Sequence, residues 1–136
     1  MPAFDDIATT SAPPEEVWKV LYDPVRFPEW WKGVESVQAE PAADGTQTYT
    51  MYPDGYPDFP MPQVLRSSQN EGLVTISCLV SDLVFEWRLE SAADQPGTRI
   101  RVHVEIPEAE AARLDGQREV ISRSLTALAR LAEEPV

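Results

Sequence analysis

Histidine and cysteine, two residue types that often carry out catalysis or bind metal ions, are scarce in this 136-residue sequence. The chain has one histidine, His103, and one cysteine, Cys78, on different predicted strands. A metal site needs several converging ligands, and a serine hydrolase needs a G-x-S-x-G turn, which is missing from the sequence. His103 falls on the charged face of its strand, and Cys78 alternates with Val74 and Ile76 as a small core or pocket-wall residue. We therefore predict no metal site, and the catalytic residues, if there are any, are unknown.

Aromatic residues indicate a different kind of site, an apolar wall for a ligand. Phe85 and Trp87 share one face of a cleanly alternating strand, where they either pack the core or line a cavity. Tyr49 and Tyr52 fall on opposite faces of an earlier strand, so only one of them should reach an interior cavity. Trp30 is predicted at the junction of a short helix with the sheet, where a core role and a pocket-edge role are equally open.

The segment 52–62 contains four prolines and a glycine and is predicted to be a loop outside the sheet ladder. Two of its aromatic residues, Tyr56 and Phe59, would either close over a cavity as a lid or staple the loop to the sheet edge.

Arg66 is the one charged residue within a mild strand that follows this loop. Either Val64 or Leu65 could face inward, so the side of the sheet that Arg66 occupies is open. An inward Arg66 would bind a ligand carboxylate or enolate oxygen, whereas an outward Arg66 would be an ordinary surface cation.

The elements that must position these residues follow from periodicity. Two-residue alternation dominates the middle of the chain, and helical spacing marks both ends. Turn residues are predicted at 41–45, 69–72 and 93–97. The predicted strands cover residues 4–10, 34–40, 46–52, 63–68, 73–80, 83–90 and 99–106, and the predicted helices cover 14–23, 25–31 and 108–134.

The last predicted helix is amphipathic and would cover one face of the sheet. Asp115-Gly116 near its start is expected to weaken or kink it. Its apolar stripe consists of Leu114, Ile121, Leu125, Leu128 and Ala132.

Composition limits the class of protein. The hydrophobic content of 43% and the length suit one domain spanning residues 1–136, and no apolar run approaches the length of a membrane span. The net charge of −12 argues against nucleic acid as a partner. The N-terminus MPAFDDIATT lacks the basic and apolar parts of a signal peptide, so a cytoplasmic location is predicted, with the chain a monomer or a weak homodimer.

One local motif carries a family resemblance. In SAPPEEVWKVLYDPVRFPEWW, a proline entry is followed by Val17-Trp18, an Asp23-Pro24 stop and the Pro28-Glu29-Trp30 sequence. This motif and the order of elements resemble the START-like, or Bet v 1-like, superfamily, and within it the bacterial SRPBCC proteins of polyketide cyclase/dehydrase type.

The resemblance implies an α+β helix-grip fold, a curved antiparallel sheet of about seven strands (β-α-α-β6-α) with the long C-terminal helix over its concave face. It also implies a ligand between that helix and the sheet, and no required cofactor. The expected ligand-binding residues are Trp30, Tyr49, Tyr56, Phe59, Arg66, Cys78, Phe85, Trp87, Ile121 and Leu125.

Three functions fit this arrangement. The first is binding of a hydrophobic or aromatic small molecule, lipid- or polyketide-like, in the cavity. The second is a polyketide cyclase, aromatase or dehydrase that uses the same pocket and needs a polar group inside it. The third is a module that docks a protein partner through the loop 52–62, which predicts a small or filled cavity with Tyr56 and Phe59 exposed.

Overall fold

A computed structural model of the chain describes residues 2–41, 45–56, 58–79, 83–91 and 97–134. Within them, seven strands and two α-helices follow one another in the predicted order. The strands are β1 (Ala3–Thr10), β2 (Val34–Ala39), β3 (Thr46–Pro53), β4 (Met61–Ser68), β5 (Leu73–Cys78), β6 (Val84–Ser91) and β7 (Thr98–Glu105). The α-helices are α1 (Pro14–Leu21) and α2 (Leu114–Glu133), and two 3-10 helices cover Pro24–Glu29 and Glu108–Arg113.

The strands form one antiparallel sheet in the order β1-β7-β6-β5-β4-β3-β2. From β2 onward each strand pairs with the next along the chain, and β1 pairs with β7 at the other edge. α2 lies across the concave face, in contact with β1 and α1, while the first 3-10 helix contacts β2. The arrangement confirms the α+β helix-grip fold, with its seven-stranded sheet and long C-terminal helix.

The sheet is covered on one side, as the alternation in β6 and β7 predicts. Ile100, Val102 and Val104 are fully buried beneath the helices. On the outer face, the Glu90 carboxylate lies 3.4 Å from the Arg101 Nε atom, and His103 Nδ1 lies 2.8 Å from an Asp5 carboxylate oxygen. His103 therefore belongs to the charged outer surface of the sheet.

One buried side-chain hydrogen bond links the two helical parts of the N-terminal motif. α1 begins at Pro14, where a missing N–H costs nothing. Near its end, the Val20 carbonyl would normally accept from the residue four positions on, but that residue is Pro24, which has no N–H. The Trp30 indole takes this place, and its Nε1 donates to the Val20 oxygen at 2.9 Å.

We expect Trp30→Phe to lower the free energy of unfolding by about 1–3 kcal/mol more than Trp87→Phe does, measured by urea denaturation. Both changes remove the same atoms from a fully buried indole. Trp30→Phe leaves the Val20 carbonyl without a donor, whereas Trp87 Nε1 has no hydrogen-bond partner to lose. Equal losses in the two variants would show that the bond to Val20 contributes nothing.

The predicted loop 52–62 is shorter in the structure. β3 extends to Pro53, which lies opposite Val34, and β4 begins at Met61, with Pro62 opposite Thr50. The prediction that Pro53 and Pro62 lie outside the ladder was wrong. Proline lacks the backbone N–H donor but keeps a carbonyl that can accept a hydrogen bond. The Pro62 carbonyl still accepts from the Leu79 N–H at 3.0 Å.

The C-terminal helix begins later than predicted, at Leu114, after the 3-10 helix. The backbone break lies at Glu110, with φ −114° and ψ 18°, and α2 runs without interruption through Asp115-Gly116, where the kink was expected. The predicted turns at 41–45 and 93–97, and the end of the predicted strand at Val80, fall largely on residues outside the described part of the chain.

Candidate binding cavity

A cavity of about 240 Å³ lies between the middle of the sheet and the N-terminal half of α2. Strands β3 to β6 form its floor, and the first 3-10 helix with the turn after it forms one wall. Its lining residues are Phe27, Trp31, Lys32, Gly33, Val34, Tyr49, Met51, Pro53, Met61, Gln63, Cys78, Leu83, Phe85, Arg113, Gln117 and Val120.

The aromatic wall centres on Trp31. Its ring packs edge-to-face on Phe85, with centroids 4.9 Å apart, and lies 5.2 Å from Phe27. Behind it, Trp30 stacks at 5.3 Å and Trp87 packs edge-to-face at 5.3 Å. These are the separations at which aromatic pairs attract, so the wall is rigid and apolar.

A short polar row crosses the floor of the cavity. The strand register places Tyr49 opposite Gln63, and Gln63 opposite Cys78, on β3, β4 and β5. Residues directly opposite on one face of a sheet have Cβ atoms about 4.5–5.5 Å apart, so the three side chains are neighbours. Tyr49 and Gln63 are each only 4% exposed. The row is the main source of hydrogen-bonding groups on the floor.

The protein itself satisfies little of the hydrogen-bonding capacity of these side chains. Among the described residues the Tyr49 hydroxyl has no hydrogen-bond partner, and Gln63 Nε2 makes one long bond, 3.4 Å, to the Met61 carbonyl. Burial raises the pKa of the Tyr49 hydroxyl well above its ordinary value, with a smaller contribution from Cys78. Tyr49 is therefore a neutral hydrogen-bond donor at any physiological pH.

Charged groups stand at the rim. The two cationic lining residues, Lys32 and Arg113, are both exposed, and Arg113 forms an ion pair with Glu110 at 2.6 Å. A second, more open pocket of about 920 Å³ shares this rim and adds acidic residues, among them Glu35 and Asp54. The lining, as far as the structure describes it, contains no carboxylate.

One serine fixes the rim to the covering helix. Ser124 of α2, which is fully buried, accepts from the Lys32 backbone N–H at 2.9 Å and donates to the Val120 carbonyl at 2.7 Å. Because Lys32 and Val120 both line the cavity, this bridge sets the spacing between its two walls.

The residues expected to bind a ligand separate into three groups. Tyr49, Cys78 and Phe85 line the cavity. Four others, though buried, pack in the core outside the lining: Trp30, Trp87, Ile121 and Leu125. The remaining three are exposed: Tyr56, Phe59 and Arg66.

Two of these placements correct the expectation. Gln63 and Leu65 are buried, so the odd-numbered positions of β4 face inward. Arg66, at an even-numbered position, is exposed on the outer face. Tyr56 and Phe59 do not close over the cavity as a lid, since they are 65% and 54% exposed. The alternation that places Tyr49 inward also places Met51 and Pro53 inward, and this signal could have found both. Finding Gln63 in the lining required the register of β4 with β3 and β5, which alternation alone does not give.

Two kinds of feature are missing from the described residues. No cluster of three or more histidine, cysteine or acidic side chains there could hold a metal ion. None of the helices described is both long enough and apolar enough to cross a membrane.

The sequence matches the family described as polyketide cyclase / dehydrase and lipid transport over residues 10–129. No curated protein matches it.

Solved structures share the fold at low sequence identity. The Zhui aromatase/cyclase from Streptomyces sp. R1128 is 17% identical, with a TM-score of 0.80 over 97% of this chain and 93% of that one. A protein from Nitrosospira multiformis is 15% identical, with a TM-score of 0.76 over 95% and 94%. The di-domain ARO/CYC BexL of the BE-7585A biosynthetic pathway is 15% identical, with a TM-score of 0.74, and the match covers 99% of this chain and 51% of BexL.

Proposed function

The chain belongs to the polyketide cyclase / dehydrase and lipid transport family, within the START-like superfamily, and from this premise we propose that it binds a hydrophobic or aromatic small molecule in the cavity beneath α2. The observation that carries the proposal is the cavity itself, an apolar space with an aromatic wall and a row of unsatisfied polar groups. Ligand pockets typically combine these two features.

The contacts favour recognition by burial. Trp31, Phe85 and Met51 contribute two aromatic rings and a thioether to the lining. Removing apolar surface from water contributes about 25 cal/mol per Å², so a ligand that fills the space gains most of its affinity from these walls. The polar row then sets its orientation.

A second candidate function is catalysis of the cyclase, aromatase or dehydrase kind, and Tyr49 is the observation that favours it. Such a reaction needs a polar group inside the pocket, and the neutral, buried Tyr49 hydroxyl could donate a hydrogen bond or a proton to a substrate carbonyl. The described lining contains no carboxylate or imidazole that could serve as a general base. Binding is therefore the first proposal and catalysis the second.

The exposure of Tyr56 and Phe59 favours a third candidate, docking of a protein partner on this loop. The two surfaces are separate, since neither residue lines the cavity. A Tyr56→Ser/Phe59→Ser double variant should therefore keep ligand binding, and loss of a partner in that variant would support docking.

Tryptophan indole NMR tests the binding proposal, with 2-naphthol as the probe. The Trp31 indole signal should shift on addition of 2-naphthol, while that of Trp18, which does not line the cavity, should stay in place. Val120→Trp fills the cavity and should abolish the shift. Thr126→Trp, on an exposed position of the same helix, should keep it.

The proposal fails if millimolar 2-naphthol leaves Trp31 unshifted, or if Val120→Trp binds as well as Thr126→Trp. If the proposal holds, native mass spectrometry of the freshly purified protein, beside a denatured and extracted sample, would identify the cell's own ligand as a discrete non-covalent adduct.

A further inference from the structure

The size of the inner cavity limits the part of a ligand that can lie on its floor. A cavity of roughly 150 Å³ with apolar walls holds one benzene molecule, and pockets for drug-sized ligands start at roughly 300 Å³. At about 240 Å³, this cavity fits a body of one or two rings. A long acyl chain or a chain of many ketide units would have to extend out through the rim.

The floor of the cavity offers both a donor and an acceptor to such a body. The Tyr49 hydroxyl, with no partner among the described residues, donates. The Gln63 amide faces it across the strand pair and has spare capacity, because its one bond within the chain is long. Among the described residues, one side-chain polar atom is both fully enclosed and without a hydrogen-bond partner, and it is Trp87 Nε1. The side-chain polar atoms of Tyr49 and Gln63 do not combine these two properties. Their free polar atoms therefore open onto the cavity.

The position of charge decides which polar group the ligand can carry. The two cations of the lining, Lys32 and Arg113, are exposed at the rim, and neither lies on the strands that form the floor. Arg113 is also paired with Glu110. A carboxylate on the floor would be buried without a cation, which is far more costly than burying a hydroxyl or carbonyl that two neutral groups can hydrogen-bond.

Building on the proposed function, we infer that this site selects neutral one- or two-ring aromatic compounds that carry a hydroxyl or carbonyl group, and rejects the corresponding carboxylates. Tyr49 and Gln63 are the residues that determine this specificity. Cys78, at the end of the row, supplies a polarisable neighbour with little hydrogen-bonding capacity of its own.

Three ligands on one ring system test the inference: 2-naphthol, 2-naphthoate and naphthalene, each titrated at neutral pH and followed by the Trp31 indole signal. We expect the wild-type protein to bind 2-naphthol at least about tenfold more tightly than 2-naphthoate, because the carboxylate loses its water without gaining a cation.

Gln63→Leu and Tyr49→Phe should each weaken 2-naphthol binding about three- to tenfold while leaving naphthalene binding unchanged or improved. Gln47→Leu is the matched control, since Gln47 is a partly exposed residue of β3 outside the lining that donates to the Glu40 carbonyl. It should keep the wild-type order of affinities.

The outcomes separate the two proposals. If none of the three ligands shifts Trp31, binding in the cavity is rejected and this inference falls with it. If all three bind and 2-naphthoate binds as tightly as 2-naphthol or more tightly, the cavity is a binding site but the selection of neutral ligands is rejected. If one variant fails to fold, the other variant and the wild-type comparison still decide.

Discussion

Trp31→Ala is expected to lower the free energy of unfolding by about 3–5 kcal/mol, the range for removing a large aromatic side chain from a core. Trp31 contacts four other rings, those of Phe27, Trp30, Phe85 and Trp87, within 5.3 Å between centroids. Its removal would join the cavity to the core behind it, and the neighbouring rings cannot all move into the gap. Urea denaturation at neutral pH measures the loss.

Trp18→Ala is the control for this prediction. Trp18 is also buried, but among the described residues the one ring within stacking distance is that of Tyr22, at 5.8 Å, on the flank of α1. Its loss should therefore be smaller and should leave 2-naphthol binding intact. The central role of Trp31 would be contradicted if the two variants lost the same stability, or if Trp31→Ala still bound 2-naphthol like the wild type.

Gly97→Ala should be the other strongly destabilising change, at about 3 kcal/mol. Gly97 has φ +131°, and a Cβ atom there would lie 2.2 Å from the Thr10 carbonyl oxygen. Strain of this kind costs about 1–3 kcal/mol by itself, and the overlap with backbone would also displace β1. The effect extends to the covering helix, because Thr10 Oγ1 lies 3.0 Å from the Ala129 carbonyl oxygen of α2.

Gly116→Ala, also a glycine-to-alanine change, is expected to have the opposite effect on stability. Gly116 lies in the first turn of α2, and a Cβ there meets nothing within 4 Å. Alanine should therefore stabilise the protein by about 0.5–1 kcal/mol, since glycine loses more conformational freedom in a helix. Thermal unfolding of both variants measures the contrast, and a melting temperature for Gly97→Ala at or above the wild-type value would refute the close contact with Thr10.

The fold could be predicted because its signals are local. Two-residue alternation in 83–90 and 99–106 gave strands with one apolar face, and the stripe through Ile121 and Leu125 gave the covering helix. Prolines were the weak point. Pro62 lies within β4, since a strand position can dispense with a donor where the carbonyl still bonds.

The cavity was harder to predict because it depends on register between strands. Trp87 and Phe85 share a face, yet Phe85 reaches the cavity and Trp87 lies behind Trp31. Two-residue alternation predicts which face of the sheet a side chain lies on, but not where along that face it lies. For Arg66 even the face was open, and the neighbours Gln63 and Leu65 settle it only once the pairing with β3 and β5 is known.

The strand order also has a consequence for how the chain folds. Strands β2 to β7 pair with their sequence neighbours, but β1 pairs with β7, so that Phe4 lies opposite Val104. Long loops cost more entropy to close, and pairings distant in sequence form slowly. We therefore expect the meander to form first and the two ends of the chain to join last, with α2 settling onto β1. A ribosome-bound chain that lacks its last residues would have the strands of the cavity without its roof.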